Sequence, residues 1–179
     1  MNKRNFLKAG GAFVGAAALL RLATQFKSTT SEPTAATPSP QSEAELVKNS
    51  SFPISKAEEE WREILTPEEF AVLREAGTEP PRSSPLDKIY TAGTYSCAGC
   101  SSPLFSSETK FNSGTGWPSF YAPLEGAVET SVDKSFFMTR TEVHCATCGG
   151  HLGHVFDDGP PPTGKRYCMN GVALSFQEA

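Results

Sequence analysis

Cys97-Ala98-Gly99-Cys100 and Cys145-Ala146-Thr147-Cys148 decide how this chain folds, because two C-x-x-C knuckles 44 residues apart constrain everything between them. Each knuckle lets two thiolates turn toward one centre, and the small residues inside leave the backbone free to make that turn. Gly99 and Gly149 support the geometry. Four thiolates in a tetrahedral shell favour zinc over the harder cations. A shell closed by four cysteines has no open position, so the expected role is structural and the metal contributes to folding itself. Two other readings stay open for these residues: disulfides, if the chain works in an oxidising compartment, and a thioredoxin-type redox pair. The second would want a long helix after the motif, and neither pair is followed by one.

Around the knuckles the sequence reads as strands. From Gly77 onward Gly, Pro and Ser recur every few residues. Between them lie short alternating runs, as in Phe136 to Val143 and in Val172, Leu174 and Phe176. Period-two alternation marks half-buried strands, so a β-dominated core is expected. Ahead of it, Ser55-Lys56-Ala57-Glu58 reads as a capping box, with Ala57, Trp61, Ile64 and Leu65 on one helical face. Thr66-Pro67-Glu68-Glu69 repeats the signal, with Pro67 at the first helical position and Gly77 at the C-terminal end. Two short helices are therefore expected as a brace or lid on the sheet, or, as an alternative, as a partner-binding element.

The N-terminal end has a different composition. Lys3, Arg4 and Lys8 precede an apolar run from Ala9 to Leu20, which Arg21 closes. That run falls short of the roughly 20 residues of a membrane span and matches an export signal over residues 1–27. Lys3-Arg4-Asn5-Phe6-Leu7-Lys8 resembles a twin-arginine signal, with Lys3 where the first arginine would stand. Residues 28–53, rich in Ser, Thr and Pro, read as a flexible tether, and residues 54–179 as the folded domain. The expected location is outside the cytoplasm, in a bacterial periplasm. A net charge of -4 and a pI near 5.4, without a basic stripe, argue against nucleic-acid binding. No stable membrane span is expected, and a monomer is the expected state.

Of five cysteines, Cys168 alone lacks a C-x-x-C partner. A free cysteine is commonly a small buried apolar residue. Its company suggests more. Two of only three histidines lie in His151-Leu152-Gly153-His154. Gly153 marks a place where a bulge would bring both rings to one pocket. An imidazole and a guanidinium near the thiol would lower its pKa and activate it as a nucleophile. The rival reading makes His151 and His154 metal ligands, but four cysteines already fill the shell.

Four stretches carry a resemblance: Ser113-Gly114-Thr115-Gly116-Trp117-Pro118-Ser119-Phe120; Arg140-Thr141-Glu142-Val143 with Cys145; His151 through Pro160; and Arg166-Tyr167-Cys168-Met169-Asn170. Together, in this order and spacing, they resemble the methionine-R-sulfoxide reductases of the B type, over roughly Ile54 to Gln177. The resemblance implies two packed antiparallel sheets, tent-like, with a structural zinc held by Cys97, Cys100, Cys145 and Cys148 away from the active site. It implies that Cys168 attacks the sulfoxide sulfur and leaves as a sulfenic acid. His154 and Asn170 match positions that orient the substrate and supply protons. Trp117 matches the ring packed on the substrate methyl, and its plain alternative is an ordinary buried aromatic. His151, Asp158 and Arg166 match further site positions. The chain departs from the pattern at Thr115, where many members carry a resolving cysteine, so an external thiol (thioredoxin-like, glutaredoxin-like or a small thiol) is expected to reduce the sulfenic acid. Met169 and Gly171 also differ from the commoner residues there. Two other classes compete. A non-enzymatic zinc-ribbon binding module would not need Cys168, His154 and Trp117 together. A hydrolytic zinc enzyme would need an H-x-E motif, which is absent.

Overall fold

The computed structural model describes residues 52–179, so the expected signal segment and nearly all of the tether lie outside the described residues. Helix α1 (Glu58–Ile64) and helix α2 (Pro67–Leu73) come first. Nine strands follow: β1 (Gly93–Cys97), β2 (Pro103–Ser106), β3 (Lys110–Phe111), β4 (Ser119–Phe120), β5 (Val128–Asp133), β6 (Arg140–Cys145), β7 (His151–Phe156), β8 (Arg166–Met169) and β9 (Leu174–Glu178). They form two antiparallel sheets, one in the order β2-β1-β9 and the other β3-β4-β8-β7-β6-β5. The β-dominated core expected from the alternating runs is present, and so are the two antiparallel sheets that the family resemblance implied.

Aromatic side chains join the sheets. Phe105 of β2 stacks on Phe120 of β4 with centroids 4.3 Å apart, and Tyr95 of β1 meets Phe120 edge-on at 5.0 Å. All three are fully buried, together with Leu104, Val143, Leu152 and Met169. Truncating a buried phenylalanine such as Phe105 to alanine costs about 3–5 kcal/mol. Among the described residues no helix is long and apolar enough to cross a membrane.

The helices brace rather than cover. Thr66 caps α2 with the full box: its hydroxyl accepts from the Glu69 N–H at 3.2 Å, and the Glu69 carboxylate accepts from the Thr66 N–H at 2.9 Å. The first box falls two residues later than expected. Ala57 is the N-cap of α1, and only the Glu60 carboxylate closes it, accepting the Ala57 N–H at 2.9 Å. Trp61 and Leu65 are buried as expected, but Ile64 is half exposed, because a helix of two turns presents only one narrow stripe to the sheet. The left-handed turn after α2 falls on Ala76 (φ 53), while Gly77 donates its N–H to the Ala71 carbonyl. Leu73 packs within reach of Gly99 and Gly150, and Arg74 donates to the Cys148 carbonyl at 3.1 Å. The helix pair thus buttresses the cysteine knuckles. Phe52, within the expected tether, meets the His144 ring edge-on at 5.5 Å.

Two strands begin later than the alternation suggested. Ser135–Phe137 and Gly171–Ala173 form single 3-10 turns, and β6 and β9 start only at Arg140 and Leu174.

Candidate active site and metal centre

Cys97 closes β1 and Cys145 closes β6, so the two knuckles come from different sheets and meet at their ends. The four Sγ atoms lie within 4.8 Å of one another, with Cys97–Cys148 at 3.7 Å and Cys100–Cys145 at 3.6 Å. A tetrahedron with ~2.3 Å metal–sulfur bonds has edges of about 3.8 Å, so the set fits a zinc-sized ion. The cysteines are unbonded to each other. All four sulfurs converge on one centre, which a lone C-x-x-C redox pair does not require. Thiolates this close repel, and a cation is what lets them ionise together.

At the other functional centre, β8 is the middle of the arrangement. Cys168 pairs in register with Ser119 of β4 on one side and His154 of β7 on the other. The expected bulge is present on β7. Val143 faces Gly153 but His144 faces His151, so Leu152 is the extra residue. That insertion brings His151 and His154, three apart, to ring centroids 5.4 Å apart. Gly153 is required for the approach of β8: a Cβ there would stand 2.1 Å from the Cys168 carbonyl oxygen.

Each histidine is held by its own carboxylate. Glu142 accepts from His151 Nδ1 at 2.7 Å, and Asp133 accepts from His154 Nε2 at 2.8 Å. The His151 Nε2 is buried without a partner in the protein. Burial pushes the His154 pKa below the ordinary 6.5, with the Asp133 contact opposing and the Arg140 charge adding to the shift.

Trp117, His154, Cys168 and Asn170 line one pocket of about 140 Å³, with Thr78, Arg140, Gly153 and Phe156. Glu79 fixes two of its walls through main-chain atoms alone. Its carbonyl accepts from Trp117 Nε1 at 3.1 Å, and its N–H donates to Asn170 Oδ1 at 3.0 Å. Its carboxylate accepts from the backbone N–H groups of Gly171 and Val172. Asn170 Nδ2 donates to the Leu152 carbonyl at 3.1 Å, which ties the bulge to β8 and leaves one amide hydrogen for the pocket. Asp158 and Arg166 do not line the pocket. They form a two-bond pair at 2.9 Å each, and Arg166 lies over the Phe156 ring at 4.3 Å. His151 stands behind His154 rather than on the pocket wall. A larger apolar groove of about 830 Å³ shares only Thr78 with this pocket and has neither cysteine nor histidine in its lining.

The Cys168 thiol differs from expectation. Burial raises its pKa above the ordinary 9.0, outweighing the Thr115 and Ser119 hydroxyls and the Arg166 charge, which pull it down. At neutral pH Cys168 is a protonated thiol, because desolvation penalises the anion more than these neighbours reward it. Thr115 Oγ1 lies 3.9 Å from Cys168 Sγ, in the place of the expected resolving cysteine.

Asp133, Arg140, Glu79, Thr78 and Phe156 were not singled out in the sequence. The Arg140 and Phe156 positions fell inside recognised stretches without a role. Asp133 and Glu79 carry no local signal, since Asp133 reaches His154 across β6 and Glu79 holds Trp117 and Asn170 through its backbone.

Comparisons with known proteins show which family the chain falls in. A family model described as the SelR domain matches residues 65–178. The chain belongs to that family, which includes the MsrB proteins. A "Peptide methionine sulfoxide reductase MsrB" of Methanosarcina barkeri is 56% identical over 125 residues, covering 69% of this chain and 88% of that relative. A relative with the same description from Leptospira interrogans is 52% identical over 128 residues, covering 71% of this chain and 98% of the relative. The one from Agrobacterium fabrum is 53% identical over 125 residues, covering 69% and 93%. The chain is thus an oxidoreductase of the MsrB family, with four cysteines placed to hold a metal ion.

Proposed function

We propose that this protein reduces methionine-R-sulfoxide, free or within a polypeptide, to methionine, with Cys168 as nucleophile. The observation that supports it most is the convergence of Cys168, His154, Trp117 and Asn170 on one small pocket in a chain of this family. The pocket has room for one short side chain. In this reading Trp117 packs on the sulfoxide methyl. Asn170, its carbonyl oxygen tied to Glu79, offers its remaining amide hydrogen to the sulfoxide oxygen.

The Cys168 proton leaves as the sulfur attacks, and His154 relays a proton to the sulfoxide oxygen, which must be protonated to depart. The S–O bond of the substrate breaks and a Cys168 S–OH bond forms. Cys168 is oxidised to sulfenic acid and the sulfoxide is reduced to methionine, with the thiol proton and the oxygen both accounted for in the S–OH. Two equivalents of an external thiol then restore Cys168, releasing water and the thiol's disulfide. Thr115 has no sulfur with which to take part. The reductant class is a thioredoxin-like or glutaredoxin-like protein or a small thiol.

Zinc held by Cys97, Cys100, Cys145 and Cys148 would tie the two sheets together and supply stability without a reaction step. Export by the N-terminal segment completes the reading, placing the work in the periplasm. A fusion of residues 1–53 to a reporter active only after export tests that part.

The central test uses purified protein with dithiothreitol and each sulfoxide epimer, with Cys168→Ser as control. Turnover of the R epimer alone, lost in the variant, supports the proposal. Turnover of the S epimer, or full activity in Cys168→Ser, overturns it. Trapping of a sulfenic acid on Cys168 in substrate-treated, reductant-free enzyme is expected. An intramolecular disulfide at Cys168 overturns the external-thiol step.

A further inference from the structure

Asp133 sits at the end of β5, outside every stretch that carried the family resemblance, yet it is the partner of the histidine most central to the pocket. Three donors converge on its carboxylate. The Ser135 N–H binds Oδ1 at 2.8 Å, while Arg140 Nη2 at 2.6 Å and His154 Nε2 at 2.8 Å share Oδ2. Arg140 Nη2 also donates to Ser135 Oγ at 3.2 Å, which fixes the turn that presents the carboxylate. With these partners, above all the Ser135 N–H, Asp133 is held well below the usual carboxylate range and stays ionised. An ionised carboxylate only accepts hydrogen bonds. The neutral His154 ring must therefore carry its proton on Nε2 and keep a lone pair on Nδ1, which no protein group engages among the bonds of the described residues.

We propose that Asp133 is a positioning residue for the reaction: it locks His154 in the Nε2–H tautomer and stabilises its protonated form, with Arg140 setting how much of that charge is felt. The consequence for catalysis rests on His154 being the proton relay. The coupling itself does not, and it can be measured without turnover.

The groups around His154 give the sign of each change. Asp133 on β5 favours the imidazolium. Arg140 on β6 and His151 on β7 oppose it, and Glu142 on β6, opposite His154 in register, is occupied by His151 and Ser131. Cys168 on β8 is neutral at rest, and the Arg166 charge beyond it is paired with Asp158. An opposite charge in contact moves a pKa by about 1–3 units, so removing Asp133 outweighs any single remaining neighbour.

The experiment is ring ¹⁵N NMR on the full, metal-loaded chain labelled at histidine, which carries only three imidazoles. In the wild type His154 is expected as the pure Nε2–H tautomer. In Asp133→Asn its titration should fall by at least about one pH unit, and the Nδ1–H tautomer should become populated. Arg140→Gln should move the titration in the opposite direction. Opposite signs from two neighbouring substitutions are not what a loosened loop produces. Unchanged tautomer and titration in Asp133→Asn, or shifts of the same sign in both variants, would overturn the proposal. If the NMR shifts occur but the pH dependence of single-turnover sulfoxide reduction does not follow them, the fault lies in His154 as the relay, not in the coupling.

Discussion

Substituting Gly153 by alanine tests the bulge, the β7–β8 ladder and the catalytic geometry at once. The new Cβ would lie 2.1 Å from the Cys168 carbonyl oxygen and 3.0 Å from Met169 Cα, at a φ of +156°. Ordinary contact begins near 3.4 Å, so β8 must retreat by about 1.3 Å, the difference between the two distances. The oxygen it meets is backbone in the middle of a sheet, with no side-chain torsion to relieve the clash. Overpacking of this kind costs about 1–3 kcal/mol, and each kcal/mol lowers Tm by roughly 2–8 °C in a domain of this size. The larger effect is on rate. Cys168 stands opposite His154 across this same ladder, and a misplacement of about 1 Å in an active site costs on the order of 100-fold. Thermal melting and dithiothreitol-driven turnover of the R epimer, measured on the same preparation, give the two readouts. A folded Gly153→Ala protein with wild-type Tm and turnover refutes the reasoning, because it would mean that β7 and β8 do not need this close approach.

Other outcomes follow from the same geometry. In the proposed reaction the active protonation state carries one proton shared by Cys168 and His154. Single-turnover rates should therefore rise with pH through the His154 pKa, below 6.5, and fall only through that of Cys168, above 9.0. A narrow optimum within that window would contradict the burial argument. Arg166→Met removes a charge that pulls the Cys168 pKa down, so alkylation of Cys168 by iodoacetamide should require higher pH than in the wild type. Thr115→Cys would place a second sulfur where Oγ1 now lies 3.9 Å from Cys168 Sγ. Closure to about 2 Å should then give an intramolecular disulfide after one turnover, read by mass spectrometry. Cys97→Ser, at a fully buried position, should abolish metal binding and unfold the domain, even though Cys97 is no part of the catalytic pocket.

What the sequence made legible was what repeats or spaces regularly. The knuckle spacing announced a tetracysteine cluster. Alternation announced the strands, and Gly153 between two histidines announced the bulge. The less legible features are those in which physics acts across distance. Ile64 sits on the expected face, yet α1 is too short to bury it. Thr66 has an oxygen to cap with and Ala57 does not, so one box closed fully and the other by half. Asp133 reaches His154, 21 residues on, only because two successive hairpins lay β5 and β7 on either side of β6. Glu79 holds Trp117 and Asn170 through its main-chain carbonyl and N–H, which every residue but proline possesses together. The thiol of Cys168 was expected to be acidified by its neighbours. Burial reverses that, and the depth of a side chain is a tertiary property.

The partition of sulfur has a consequence for how such a protein would age under oxidant. Cys97 and Cys145 are fully buried and Cys148 nearly so, while Cys100 and Cys168 are partly accessible. With metal in place, inactivation should run on two clocks. The reversible one is oxidation of Cys168 to sulfenic acid, which an external thiol resets. The irreversible one begins at Cys100, the one knuckle sulfur that is partly accessible, and ends in loss of the metal and of the fold. The first costs activity only until a thiol returns it. The second sets its lifetime.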